Sequence, residues 1–245
     1  MISAVQTDTG MVREHNEDAY RLKLISGRIA YGIVCDGMGG ANAGQVASAV
    51  TTETIAEAIE NFFKNEKPPY DITSLFRKAI RAANDKVYKL NLSDPALRGM
   101  GTTLVMVIVI DNDIFVANVG DSRAYLFFGD AIQQISTDHS AVQELLDQGK
   151  ISKEEAKNHP QKNIITRAIG VDSVVEFDYY TYNFNKGDRV LLCTDGLSNY
   201  CDEQVLLKMM NENESAVGVV ESLVSYANKM GGSDNITALL IKQDC

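Results

Sequence analysis

Three aspartates stand where an apolar run meets a tight turn. Asp36 ends the run Tyr31-Gly32-Ile33-Val34-Cys35 and opens Gly37-Met38-Gly39-Gly40. Asp195 follows Val190-Leu191-Leu192-Cys193-Thr194 and precedes Gly196, and Asp234 sits in Gly231-Gly232-Ser233-Asp234-Asn235 ahead of another apolar run. A carboxylate at the end of a buried strand costs free energy unless it is paired or metal-bound. Glycine beside it lets backbone carbonyls come close to a ligand. With oxygen donors and neither His nor Cys in the pattern, the chemistry indicated is that of Mg²⁺ or Mn²⁺ rather than zinc. Several carboxylates around one point suit two ions better than one. A lone Asp-Gly is ordinarily a turn; three such sites argue for chemistry only if the fold makes them converge.

A fourth segment, Arg13-Glu14-His15-Asn16-Glu17-Asp18, sets a cation within a few residues of acids. It reads either as a solvated charged turn or as an arginine that grips a phosphate bidentately beside acids holding metal-bound water. Cys35 and Cys193, next to or near two of the aspartates, read as small buried apolar residues. The alternative there is an oxidation-sensitive site, since a sulfinate would compete with the metals.

The elements that must position these residues show in the periodicity. Residues 28–35 form a strand leading into the Gly-rich loop. Residues 102–110 and 114–119 form a hairpin through Asp111-Asn112-Asp113, and 124–128 ends in the turn Phe128-Gly129-Asp130. Residues 174–184 alternate loosely and turn at Asn185-Lys186-Gly187-Asp188 into 189–194, and 236–241 is the last strand. Ile55, Ile59, Phe62 and Phe63 follow helical spacing, as do Ile72, Leu75, Phe76, Ala79, Ala83, Val87 and Leu90, with Pro68-Pro69 as the turn of a helical hairpin. Further helices are expected over 202–211 and 215–230. Strands that arrive as hairpins predict an α+β fold with antiparallel sheets.

Seven segments in order resemble the metal-dependent Ser/Thr protein phosphatases of the protein phosphatase 2C or PPM family, in its bacterial form. They are Arg13-x-x-Asn16-Glu17-Asp18, Asp36-Gly37-Met38-Gly39-Gly40, Gly101-Thr102-Thr103, Gly120-Asp121-Ser122-Arg123, Thr137-Asp138-His139-Ser140, Thr194-Asp195-Gly196 and Ser233-Asp234-Asn235-Ile236-Thr237. The resemblance implies a four-layer αββα sandwich, two antiparallel sheets flanked by helix pairs, over residues 1–245 as one catalytic domain. A flap-like segment at about 138–170 would lie beside the site. It implies that Asp36 bridges two ions and the Gly37 carbonyl ligates one of them. Asp195 and Asp234 would complete the other ion's shell, with Glu17 and Asp18 close by, partly through water. Asp121, with Asp195, would hold a weaker third ion, and Arg13 would bind the substrate phosphate. Arg13 and Asp36 are thus the expected catalytic residues, with two Mn²⁺ or Mg²⁺ as cofactors. The implied reaction is hydrolysis of phosphoserine and phosphothreonine in proteins by water activated between two ions, without a phospho-enzyme. Partners implied are phosphoproteins and an opposing Ser/Thr kinase, with a cytoplasmic monomer as the working form. A two-metal phosphoesterase for small molecules and a non-catalytic signalling module on the same fold are the alternatives.

Two positions depart from relatives. Met38 stands where eukaryotic members carry His, so water held by the metals is expected to supply the leaving-group proton. Ala41 replaces a His found after Gly-Gly in many bacterial members. Of the histidines, His15 is expected at the surface, His139 to order a loop, and His159 to be structural in the flap.

Composition bounds the rest. Lys and Arg total 23 against 33 Asp and Glu, a net charge of -10 that disfavours nucleic acid as a partner. The apolar run at 104–110 is too short to span a bilayer, and the N-terminal residues show no signal-peptide pattern. Four widely spaced cysteines, with no CxxC pair, suit a reducing compartment.

Overall fold

The computed structural model describes residues 1–245 apart from Ala41, Asn158, Glu214 and Cys245 and the side chain of Lys157. The expected histidine replacement at Ala41, and Cys245, therefore lie outside the described residues. The chain opens with strands β1 (Ile2–Asp8), β2 (Asp18–Leu24) and β3 (Ile29–Met38). Helices α1 (Ala43–Asn65) and α2 (Ile72–Ser93) follow, joined through Pro68-Pro69, and the Asp71 carboxylate caps α2 by accepting from Ser74 N–H at 2.9 Å. Next come β4 (Gly101–Thr102), β5 (Leu104–Ile110), β6 (Asp113–Val119), β7 (Arg123–Phe128) and β8 (Ala131–Gln134). Short helices α3 (Ala141–Asp147) and α4 (Lys153–Lys157) lead to β9 (Asp178–Asn183) and β10 (Arg189–Cys193). The chain continues through α5 (Asp195–Ser198), α6 (Glu203–Glu212), α7 (Ala216–Lys229) and β11 (Ile236–Lys242).

One sheet has the order β1-β11-β10-β7-β8, the other β2-β3-β5-β6-β9 with β4 paired to β3. Neighbouring strands are antiparallel throughout. Strand alternation then dictates the layers. From β5, Val105, Val107 and Val109 point between the sheets and meet Leu192, Leu239 and Ile241. Its Leu104, Met106 and Ile108 point the other way, into Ile55 and Ile59 of α1 and Phe76 and Ile80 of α2. On the opposite side Leu191, Ala238 and Leu240 pack against Leu206 and Met210 of α6 and Val220, Leu223 and Val224 of α7. The result is a four-layer αββα sandwich of the α+β class. The unbroken apolar run of β5 follows from being covered on both faces.

Two expected strands differ. The run over 102–110 breaks at Thr103, whose N–H donates to the Asp36 carbonyl at 2.9 Å instead of continuing the ladder. Of 174–184 only β9 is a strand. Gly170 N–H donates to Asn84 Oδ1 at 2.8 Å and Asn84 Nδ2 donates to the Asp172 carbonyl at 2.9 Å, which holds the chain against α2 before it can join β6.

Candidate active site

The register of β2 on β3 sets Asp18 directly opposite Asp36. Asp36 has its backbone clamped: its N–H donates to Thr103 Oγ1 at 2.9 Å and its carbonyl accepts from Thr102 Oγ1 at 2.8 Å. From the other sheet, β10 delivers Asp195 at the first turn of α5, and the turn before neighbouring β11 delivers Asp234. Asp121 follows β6 at the crossing between sheets. Electrostatics record the convergence. The Asp36 carboxyl lies well above the ordinary range, first through burial and then through the charges of Asp18, Asp195, Asp121 and Asp234. Asp18 is raised to about 7, chiefly by burial, with Asp195 and Asp234 adding to it. Asp121 is likewise raised to about 7 by burial, then by Asp195 and Asp138. Burial and then Asp234 push Asp195 upward.

Hydroxyls and amides hold the acids in place. Asp18 Oδ2 accepts from Thr237 Oγ1 at 2.6 Å and Thr194 Oγ1 at 3.0 Å. Because Thr237 spends its proton on Asp18, its 2.8 Å contact with Thr7 Oγ1 takes the proton from Thr7, which accepts from Asn16 Nδ2 at 2.9 Å. Asn235 ties the first loop to the last: its Oδ1 accepts from Glu17 N–H at 2.8 Å, and its Nδ2 donates to the Thr9 and His15 carbonyls at 2.9 Å. Glycines make the approach possible. A Cβ on Gly37 would meet the Gly44 carbonyl oxygen at 2.2 Å, and one on Gly196 the Asn235 carbonyl oxygen at 2.0 Å. Arg13 Nη2 donates to Asp234 Oδ2 at 2.8 Å, with its side chain 52% exposed at the mouth.

Among the described residues no three His, Cys, Asp or Glu side chains form a ready-made ligand shell. Yet Asp18 Oδ1 and Asp195 Oδ1 are buried without a hydrogen-bond partner, and both belong to a cluster whose charges repel. Unsatisfied carboxylate oxygens of that kind suit hard, oxygen-seeking cations.

A family model described as protein phosphatase 2C matches residues 11–240. The chain belongs to the protein phosphatase 2C family. A serine/threonine phosphatase, stp, of Listeria monocytogenes is 38% identical over 244 residues, covering 100% of this chain and 96% of that one. The structure of the Streptococcus agalactiae serine/threonine phosphatase aligns with a TM-score of 0.91 at 31% identity, covering 99% of each chain. The catalytic domain of the serine threonine protein phosphatase PstP, in complex with two manganese ions, aligns with a TM-score of 0.83 at 32% identity, covering 97% of this chain and 96% of that one. The family is metal-dependent.

In this protein phosphatase 2C member Arg123, two residues after Asp121, forms no ion pair with it among the described residues. Arg123 donates instead to Asp138, from Nε at 3.0 Å to each oxygen and from Nη2 at 2.7 Å to Oδ2. His139 orders a loop as expected. Its Nδ1 accepts from Gly120 N–H at 3.1 Å, which leaves the Nε2 proton for Asp178 Oδ2 at 3.3 Å, and burial lowers its pKa. His15 is exposed and His159 is partly buried. Cys35 and Cys193 are buried, and burial raises both thiols, Cys35 to about 12, so neither presents a thiolate. Sequence reasoning gave no role to Asn16, Thr103, Thr194, Asn235 and Thr237. Their signal was present, as small hydroxyl and amide residues flanking each acid in the motifs.

Proposed function

We propose that the acidic end of the sheet pair hydrolyses phosphoserine and phosphothreonine in proteins, with water as the nucleophile and no phosphorylated side chain. Residues 1–245 act as one catalytic unit, with 138–170 as a flap beside the site. The observation that carries this reading is the pair of orphaned buried oxygens, Asp18 Oδ1 and Asp195 Oδ1, inside a cluster of mutually repelling aspartates. The residues that would hold two divalent ions, Mn²⁺ or Mg²⁺, are Asp36, the Gly37 carbonyl, Asp195 and Asp234, with Glu17 and Asp18 through water. Asp121 and Asp195 would hold a weaker third ion. Bound there, the ions supply the Lewis acidity that activates water and offsets phosphoryl charge.

The chain's own residues do the rest. Asp36, clamped through its backbone, holds its carboxyl within reach of the charges of Asp18, Asp195, Asp121 and Asp234. Two threonine hydroxyls fix one oxygen of Asp18 and leave the other free to ligate. Arg13 holds Asp234 with one nitrogen and keeps an exposed edge for the substrate phosphate. With Met38 in place of histidine, a side chain is not required to protonate the serine or threonine alkoxide, and water takes that part. The substrates are phosphoproteins made by a Ser/Thr kinase, which this monomeric, cytoplasmic enzyme opposes. Among the described residues no helix is long and apolar enough to cross a membrane.

The test is hydrolysis of a phosphothreonine peptide and of p-nitrophenyl phosphate, with Mn²⁺ and with chelator. Mn²⁺-dependent turnover of both is expected. Turnover of small phosphoesters alone would make it a small-molecule phosphoesterase, and turnover of neither a binding module.

A further inference from the structure

Helix α2 turns one face toward the loop that precedes β9. Thr73, Arg77, Ile80, Arg81 and Asn84 recur on that face at three- and four-residue spacing and line a cavity of about 610 Å³. Its far wall is Arg167 and residues 173–179. The frame is fixed by the two Asn84 hydrogen bonds to residues 170 and 172. Gly170 also lies so close to Val87 that a Cβ there would meet Val87 Cγ1 at 2.1 Å. The floor is apolar: Ile80 is buried, Phe177 packs on the same core, and Tyr179 meets Phe76 with ring centroids 5.9 Å apart.

The charges are unbalanced. Arg77 and Arg81 are exposed, one helical turn apart, and among the described residues neither has a carboxylate within ion-pair distance. Like charges at that spacing weaken a helix slightly. Of the two acids in the wall, Asp178 is already engaged by Arg167 Nη1 at 3.0 Å, Tyr180 OH at 2.9 Å and His139 Nε2 at 3.3 Å. Two uncommitted arginines thus face one exposed glutamate, Glu176, in a chain of net charge -10. A short line of contacts leads from the cavity toward the cleft. Arg167 Nη1 lies 3.1 Å from His139 Nε2, and His139 Nδ1 accepts from Gly120, the neighbour of Asp121.

We infer that this cavity docks an acidic, partly apolar segment of the phosphoprotein substrate, outside the residue that is dephosphorylated. Its carboxylates sit on Arg77 and Arg81, and one apolar side chain covers Ile80, Phe177 and Tyr179. The inference rests on the phosphatase reading for the identity of the occupant. A local basic cavity on a protein of net charge -10 favours acidic segments over neutral ones among substrates.

The test uses the full chain with Mn²⁺, the double variant Arg77→Glu with Arg81→Glu, and a control of equal charge change, Lys64→Glu with Lys67→Glu. Fluorescence anisotropy follows a fluorescein-labelled, unphosphorylated Asp/Glu-rich peptide with a central leucine. In parallel, kcat/KM is compared for a phosphothreonine peptide bearing that acidic segment and one bearing Asn and Gln instead. At low salt the arginine variant should bind the probe about tenfold more weakly and lose the preference for the acidic phosphopeptide, while the control keeps both. Equal losses in the two variants, or no preference in the original protein, would overturn the docking site. Displacement of the probe by inorganic phosphate alone would make the cavity a phosphate site instead. Light scattering that shows an Arg77- and Arg81-dependent dimer would assign it to a second copy. If no phosphoester is turned over, the phosphatase reading falls and takes the substrate assignment with it, even where anisotropy still reports the peptide.

Discussion

Replacing Asp36 by Asn should do two opposite things. It removes a carboxyl that burial first, and then the charges of Asp18, Asp195, Asp121 and Asp234, make costly to ionise, so the metal-free protein should melt higher at neutral pH. Turnover at saturating Mn²⁺ should fall at least about 100-fold, roughly 2.7 kcal/mol of barrier. Calorimetry and a phosphopeptide assay on one preparation check both, and near-normal turnover would remove Asp36 from the site. Asp121→Ala tests a finer point. Arg123 is held by Asp138, so the substitution breaks no ion pair, and the melting temperature should not drop. Phosphopeptide turnover should decrease markedly if Asp121 helps hold an ion. Full turnover would leave Asp121 without a part in the chemistry.

At the level of elements, the site depends on loops packed to backbone contact. A methyl group at Gly196 would press on the Asn235 carbonyl oxygen at 2.0 Å, forcing α5 away from the turn that carries Asp234. Gly196→Ala should therefore cost about 2 kcal/mol of stability and weaken Mn²⁺ binding, read by thermal unfolding and titration calorimetry. A variant with unaltered Mn²⁺ affinity would show that α5 and that turn need not touch. The same packing marks the limit of sequence reading. The hairpin of β5 and β6, the pairing of α1 with α2 and strand β11 were legible because each writes its period locally. β1 and β2 were not: both are sheet edges, and β2 is largely open to solvent, so neither shows clean apolar alternation. The aspartates were legible as candidates, yet their convergence belongs to the register of β2 on β3 and of β10 on β11. The duties of Thr194, Thr237 and Asn235 exist only across those junctions.

For the whole molecule, the raised carboxyl groups make stability depend on pH. Asp18 and Asp121 titrate near 7 in the folded protein, against about 4 in an unfolded chain. Between those values the folded state binds more protons than the unfolded one, so stability falls as pH rises through the interval. The metal-free protein should lose about 5 kcal/mol between pH 5 and pH 8, roughly half from each group, on the order of 10–20 °C in Tm. Mn²⁺ should restore it through mass action. A Tm that rises with pH in chelator would contradict the shifts. The acids are also divided: β2 and β3 bring Asp18 and Asp36, β10 and the turn before β11 bring Asp195 and Asp234, and Asp121 lies where the chain crosses over. In mechanical terms that end of the sandwich is a seam between two plates, pried open by like charge, which a cation held there would rivet. Pulled apart in an optical trap, the plates should part at a lower force in chelator than in Mn²⁺, so that the ion requirement would register as stiffness before any substrate is added.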